Sequence, residues 1–146
     1  MITNEVQHRA TKAHAARFEE ALRNLEAARD EAPDQKRREL EIAAVRSQLD
    51  DLLAEITEYE QLRSGTIRSF EAGSLSELAV ALVKARIAKG WSQRRLAEEL
   101  GVAEQQIQRY EATGYSSASL SRLCDIVAAL GVDVREVVSL PSTDAA

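Results

Sequence analysis

Glu104, Gln105, Gln108 and Arg109 place one carboxylate, two primary amides and a guanidinium within a six-residue stretch. These groups can read the edge of another molecule. A glutamine amide presents a donor beside an acceptor and matches the adenine edge, an arginine fork matches guanine, and a carboxylate can accept from the cytosine amino group. On a helix, positions 104, 105, 108 and 109 stand on one side of the first turns, whereas Gln106 falls off that face. The chemistry implied is recognition.

Residue types suited to catalysis occur without the spacing it needs. His8 and His14 are about 240° apart around a helix, so one segment cannot offer both to one metal; His14 is expected near a helical core and His8 in solvent. Cys124 lies beside Leu123 and Val127 on an apolar stretch and reads as a buried structural thiol. The acidic pairs Asp50 with Asp51 and Glu98 with Glu99 belong to solvent-facing helix positions, and no glycine-rich phosphate loop is present. No catalytic residue, metal or cofactor is implied. With one cysteine, no secretory leader and no apolar run long enough for a bilayer, the expected location is the cytoplasm.

The elements that must position the recognition residues are legible around them. Ser92 is a helix N-cap with Trp91 as a hydrophobic staple onto Leu96, so a helix should start at Gln93 and stop near Leu100. Gly101 supplies the left-handed backbone that leaves a helix in one step. A second helix over 104–112 packs through Val102, Ile107 and Tyr110 against Leu96 and Leu100, and the small Ala97 lets the two backbones cross closely. Ala103 is a poor cap for that second helix. Upstream, Ser74 and Glu77 form a capping box for a helix through Lys89, with Leu75, Leu78, Ala79, Leu82, Val83 and Ile87 as its buried stripe. Downstream, Leu120, Leu123, Val127 and Leu130 mark a further helix closed by Gly131, and Asp133 with Glu136 caps a short last one.

Charge is distributed unevenly. The 146 residues carry a net charge of -5; residues 1–65 have 10 basic and 14 acidic side chains, giving -4, and residues 66–146 have 9 and 10, giving -1. Lys84, Arg86, Lys89, Arg94 and Arg95 fall between Leu78 and Ala97 with no acid among them, which concentrates positive charge beside the proposed reading face. Arg94 and Arg95 occupy the end of a helix where its dipole disfavours cations, so an external anion explains them better than helix stability does.

Residues 1–65 read as two long helices, 4–31 and 34–63, interrupted at Pro33. Ile42, Val45, Leu49, Leu52, Ile56 and Tyr59 alternate by three and four as a heptad seam, while Phe18, Leu22 and Leu25 mark a less regular first arm. Arms of about 40–45 Å would form an antiparallel hairpin whose thin core suits an interaction module. Residues 66–73 form a linker with a short extended piece around Ile67 and Phe70, residues 74–140 form the second domain, and 141–146 form a mobile tail.

Over 74–138, the W-S-Q-R-R-L-A-E-E-L-G-V-A-E-Q-Q-I-Q-R-Y-E-A run and the helices on either side resemble the phage-repressor (Cro and XRE type) helix-turn-helix family. The resemblance implies an all-α, five-helix lambda-repressor-like domain that binds double-stranded DNA, here preceded by a two-helix hairpin. It implies that Glu104, Gln105 and Arg109 occupy reading positions, that Gln93 holds a phosphate, and that Arg86 pairs with Glu111 as a brace between helices. Glu104 departs from the family's usual residues, and its fit to the helix dipole is the better explanation of it. Lys89, Arg94, Arg95, Thr113, Tyr115, Ser116 and Ser117 are the further candidates for phosphate contact, the loop hydroxyls having turn and capping chemistry as the equal alternative. A homodimeric repressor on an inverted repeat is the expected function. A helical extension before such a domain is also similar to HigA-like antitoxins, which makes a toxin protein the partner in the alternative reading. Dimer contacts could come from the last two helices, the hairpin or both.

Overall fold

The computed structural model describes residues 1–29 and 33–140. Six helices and no strand are found among the described residues: α1 (Glu5–Ala27), α2 (Gln35–Arg63), α3 (Leu75–Ala88), α4 (Gln93–Leu100), α5 (Glu104–Ala112) and α6 (Leu120–Leu130). Helices α1 and α2 pack together as a hairpin; α2 also packs on α3, and α4 on α5 and α6. The fold is therefore all-α, with a helical hairpin preceding the helix-turn-helix region.

Asn4 and Asp34 cap the two hairpin helices, each accepting from the backbone N–H three residues on. The α2 seam buries Ile42, Leu49, Ile56, Tyr59 and Leu62, with Val45 and Leu52 half-buried. On α1 the facing positions are His8, Thr11, Ala15, Phe18, Leu22 and Leu25, all buried or half-buried and spaced three and four apart. This is as regular a seam as its partner's. Three of its positions carry polar or small residues, which hides it from a hydrophobicity pattern. The first arm is shorter than expected: α1 ends at Ala27, so it spans about 35 Å against about 44 Å for α2. The expected continuation to 31 falls partly outside the described residues.

The histidines exchange the places expected of them. His8 faces α2, where Nε2 lies 3.1 Å from Glu60 Oε1 and the ring tilts onto Tyr59 at 4.8 Å between centroids. His14 is exposed and meets the edge of Phe18 at 5.0 Å between centroids. Lys12 and His8 both bond the Glu60 carboxylate, which holds its pKa below the usual carboxylate value.

Three further expectations are corrected. No helix forms over 131–140, so four helices, not five, follow the hairpin among the described residues. The run V-D-V-R-E-V-V over 132–138 contains four valines, whose branched side chains lose rotamer freedom in a helix. So short a helix needs a packed face to form, and Val137 and Val138 are more than nine-tenths exposed. Leu75 and Leu120, assigned to buried stripes, are 64% and 70% exposed. Each is the first residue of its helix, and Leu75 rims an open groove between 65–75, α3 and 130–138. Cys124 is exposed, because α6 buries Ile126 and Leu130 and so turns position 124 outward.

One buried apolar cluster runs through the chain from Ile2, Ala15, Leu49, Ile56, Tyr59 and Leu62 to Ala79, Leu82, Ile87, Leu96, Ile107, Ile126 and Leu130. Ile67 and Phe70 of the connecting segment pack against it. A Glu58–Lys84 ion pair at 2.6 Å adds a polar link between α2 and α3. Residues 66–73 thus pack onto the core, and the hairpin shares it with the helices that follow.

Candidate nucleic-acid interface

Helix α4 begins where Ser92 accepts from the Arg95 N–H at 3.0 Å. It ends at Gly101, with φ 65° and ψ 33°. Val102 N–H reaches back to the Ala97 carbonyl at 3.0 Å, closing the helix with a six-residue turn that only a left-handed residue permits. Ala97 is 2% exposed between α4 and α5, and Leu96 and Ile107 are wholly buried. With Ile107 and Glu111 facing inward, the opposite side of α5 carries Gln105, Gln108 and Arg109 outward, all exposed. Glu104 and Gln106 are half-buried. Gln108 Nε2 donates to Glu104 Oε1 at 3.3 Å, so the carboxylate of the first turn has a neighbour on its own helix as well as the helix dipole. Among the described residues, Arg109 has no ion-pair partner. Ala103 provides no side-chain cap, leaving the backbone donors that open α5 without a side-chain acceptor.

Behind this face lies a buried polar network. Arg86, 2% exposed, donates through Nε and Nη2 to the two Glu111 oxygens at 2.6 and 2.7 Å, a two-pronged pair linking α3 to the end of α5. Its Nη1 donates to the Trp91 carbonyl at 2.7 Å, and Nη2 also donates to the Thr3 carbonyl at 2.8 Å. Gln93 Nε2 donates to Glu111 Oε2 at 2.7 Å, and its Oε1 accepts from Asn4 Nδ2 at 3.3 Å. The network thus joins α3, α4, α5 and the residues that open the hairpin. Thr3 and Asn4 were not among the sequence candidates: no local pattern points across 89 positions.

The structure reassigns three of the phosphate candidates. Gln93 is 5% exposed with both ends of its amide engaged, so it braces Glu111 rather than meeting a phosphate. Lys89 donates to the Leu130 carbonyl at 2.8 Å and sits 4.1 Å over the Trp91 ring, which makes it a cap for the end of α6. Tyr115 is 3% exposed at φ 58°, stacked on Tyr110 at 5.9 Å, with its hydroxyl buried away from any surface anion. Burial pushes that phenol's pKa up, and the nearby Glu111 carboxylate adds to the effect.

Arg94, Arg95, Thr113, Ser116 and Ser117 are exposed. Thr113 already donates to the Arg109 carbonyl at 3.0 Å, and the cap of α6 is Ser119, which leaves Ser116 and Ser117 outside that role. Arg94 pairs with Glu98 at 3.1 Å, and Arg95 pairs with Glu99. Exposed pairs of this kind contribute only about 0.2–1 kcal/mol, and arginine preceding glutamate is the weaker order on a helix. Such pairs yield readily to a phosphate. The acid-free run of five cations is therefore less positive in three dimensions than in sequence, since Glu58, Glu111, Glu98 and Glu99 all reach it from elsewhere.

Among the described residues, no group of three or more His, Cys, Asp or Glu side chains could hold a metal ion, and no helix is long and apolar enough to cross a membrane. No curated protein and no solved structure matches the chain. Residues 82–137 match the family model for the helix-turn-helix. That segment opens inside α3, contains the α4–Gly101–α5 unit whole, and extends past α6. The match supports a DNA-binding transcription regulator. Residues 82–137 are a helix-turn-helix segment of the Cro/XRE type.

Proposed function

We propose that this chain is a sequence-specific regulator of transcription that binds an inverted-repeat operator as a homodimer and represses by occupying it. The observation that carries this reading is the outward side of α5, where Gln105, Gln108 and Arg109 stand exposed together while Ile107 and Glu111 anchor the other side. Gln105, Gln108 and Arg109 read base edges, with Glu104 in the first turn beside them. Arg94, Arg95, Thr113, Ser116 and Ser117 line the backbone of the duplex. Self-association is supported by exposed apolar side chains in and after α6, namely Leu120, Val137, Val138 and Leu140. A two-fold axis then sets half-sites about 34 Å apart, one turn of the duplex.

Gel-shift titration of the duplex upstream of the gene tests the assigned face. Arg109→Ala is expected to relax preference at one base position, a loss of about 1–3 kcal/mol on the cognate site. Arg94→Ala should weaken all sequences alike and reduce the salt slope by about one. Unchanged affinity in both variants would overturn the assignment.

A further inference from the structure

The start of the hairpin is built into the machinery that holds the reading helix. Asn4 does two things with one side chain: its Oδ1 accepts from the Gln7 N–H at 2.9 Å and caps α1, while its Nδ2 donates to Gln93 Oε1 at 3.3 Å. Gln93 passes this contact to Glu111 at 2.7 Å, near the end of α5, and the Thr3 carbonyl takes one of the Arg86 donors at 2.8 Å. Ile2, 3% exposed, anchors the same segment in the shared core. Glu111 sits on the buried side of the helix whose outward side carries Arg109, two positions earlier. A rotation of α5 that moved Glu111 would therefore move the reading residues with it.

We propose that Asn4 is a positioning residue for DNA recognition, acting through Gln93 and Glu111, so that the seating of the hairpin sets the orientation of α5. This rests on the DNA-binding reading above. The coupling runs in both directions: whatever displaces the start of α1 weakens DNA binding, and DNA binding favours the seated hairpin.

Asn4→Ser and Asn4→Asp both keep an oxygen to cap α1 and both remove the amide nitrogen that reaches Gln93. The control is Glu58→Gln, which removes the ion pair between α2 and Lys84 of α3 without touching the network. Each full-length variant is titrated against the duplex upstream of the gene and a duplex of random sequence, and amide exchange is followed without DNA. Both Asn4 variants are expected to lose about three- to tenfold in affinity for the upstream duplex, with a smaller loss on the random one. Exchange should quicken in α5 and not in α1, and Glu58→Gln should stay within about twofold of the parent on both duplexes. A merely structural Asn4 would alter thermal stability but not the ratio of the two affinities. Unchanged affinity in the Asn4 variants, or an equal loss in Glu58→Gln, overturns the proposal. Should the parent chain bind neither duplex, the DNA-binding reading fails; the exchange experiment then decides alone, with unaltered protection of α5 counting against Asn4.

Discussion

Arg86 satisfies four hydrogen bonds with one guanidinium, two to Glu111 and one each to the carbonyls of Trp91 and Thr3. Removing it would leave the Glu111 carboxylate buried with only the Gln93 amide opposite. A buried charge stripped of its ionic partner costs about 3–5 kcal/mol, so Arg86→Ala should lose that much stability in a urea titration followed by Trp91 emission. Arg86→Lys should rescue little of it, because an ammonium cannot span both carboxylate oxygens and two carbonyls in the same plane. The pairing of Arg86 with Glu111 is implied by the family resemblance. The bond to Thr3 is not, since it joins residues 83 positions apart through a backbone atom that carries no sequence signature.

At the scale of elements, the caps and stops of the helix-turn-helix were written locally. Ser74, Ser92 and Ser119 each accept from the N–H three residues on, and Gly90, Gly101 and Gly131 each follow a helix with positive φ. These signals act within about four residues, so a linear reading finds Ser74, Ser92 and the three glycines; it passes over Ser119, because Ser116 and Ser117 offer the same chemistry a few positions earlier. Gly101 illustrates the energetic consequence: no atom lies within 4 Å of where a Cβ would stand, so Gly101→Ala meets no clash, only the left-handed backbone. The expected loss is about 1–2 kcal/mol in thermal or chemical unfolding, and Gly101→Asn should lose less. The α1 seam and the missing last helix show the limit of such reading. His8, Thr11 and Ala15 earn their places only because α2 lies opposite, whereas Val132 to Val138 lacks the packed face that would have made a helix of it.

Across the whole molecule, the hairpin and the DNA-binding region share one apolar cluster, with Ile2, Tyr59 and Leu62 on one side of the chain's midpoint and Leu82, Ile87 and Leu96 on the other. Deleting residues 1–65 would uncover part of that cluster and orphan the Arg86 donor that Thr3 satisfies. The fragment 66–146 is therefore expected to melt roughly 10 °C or more below the full chain by calorimetry; equal melting temperatures would show that the two parts are energetically independent. A partner that engages the hairpin is better sought with an outward substitution such as Leu40→Asp, since Leu40 is 64% exposed and outside the shared core. By itself the sequence determined the limits of α4 and α5, the left-handed turn at Gly101 and the presentation of Gln105 and Arg109, because those depend on neighbours within a turn or two. Tertiary structure alone decided that Gln93 and Tyr115 turn inward, that the exposed Lys89 is held by the Leu130 carbonyl, that Cys124 faces solvent, and that Asn4 meets Gln93. Burial and long-range hydrogen bonding depend on what the rest of the chain brings alongside, and that information is not local.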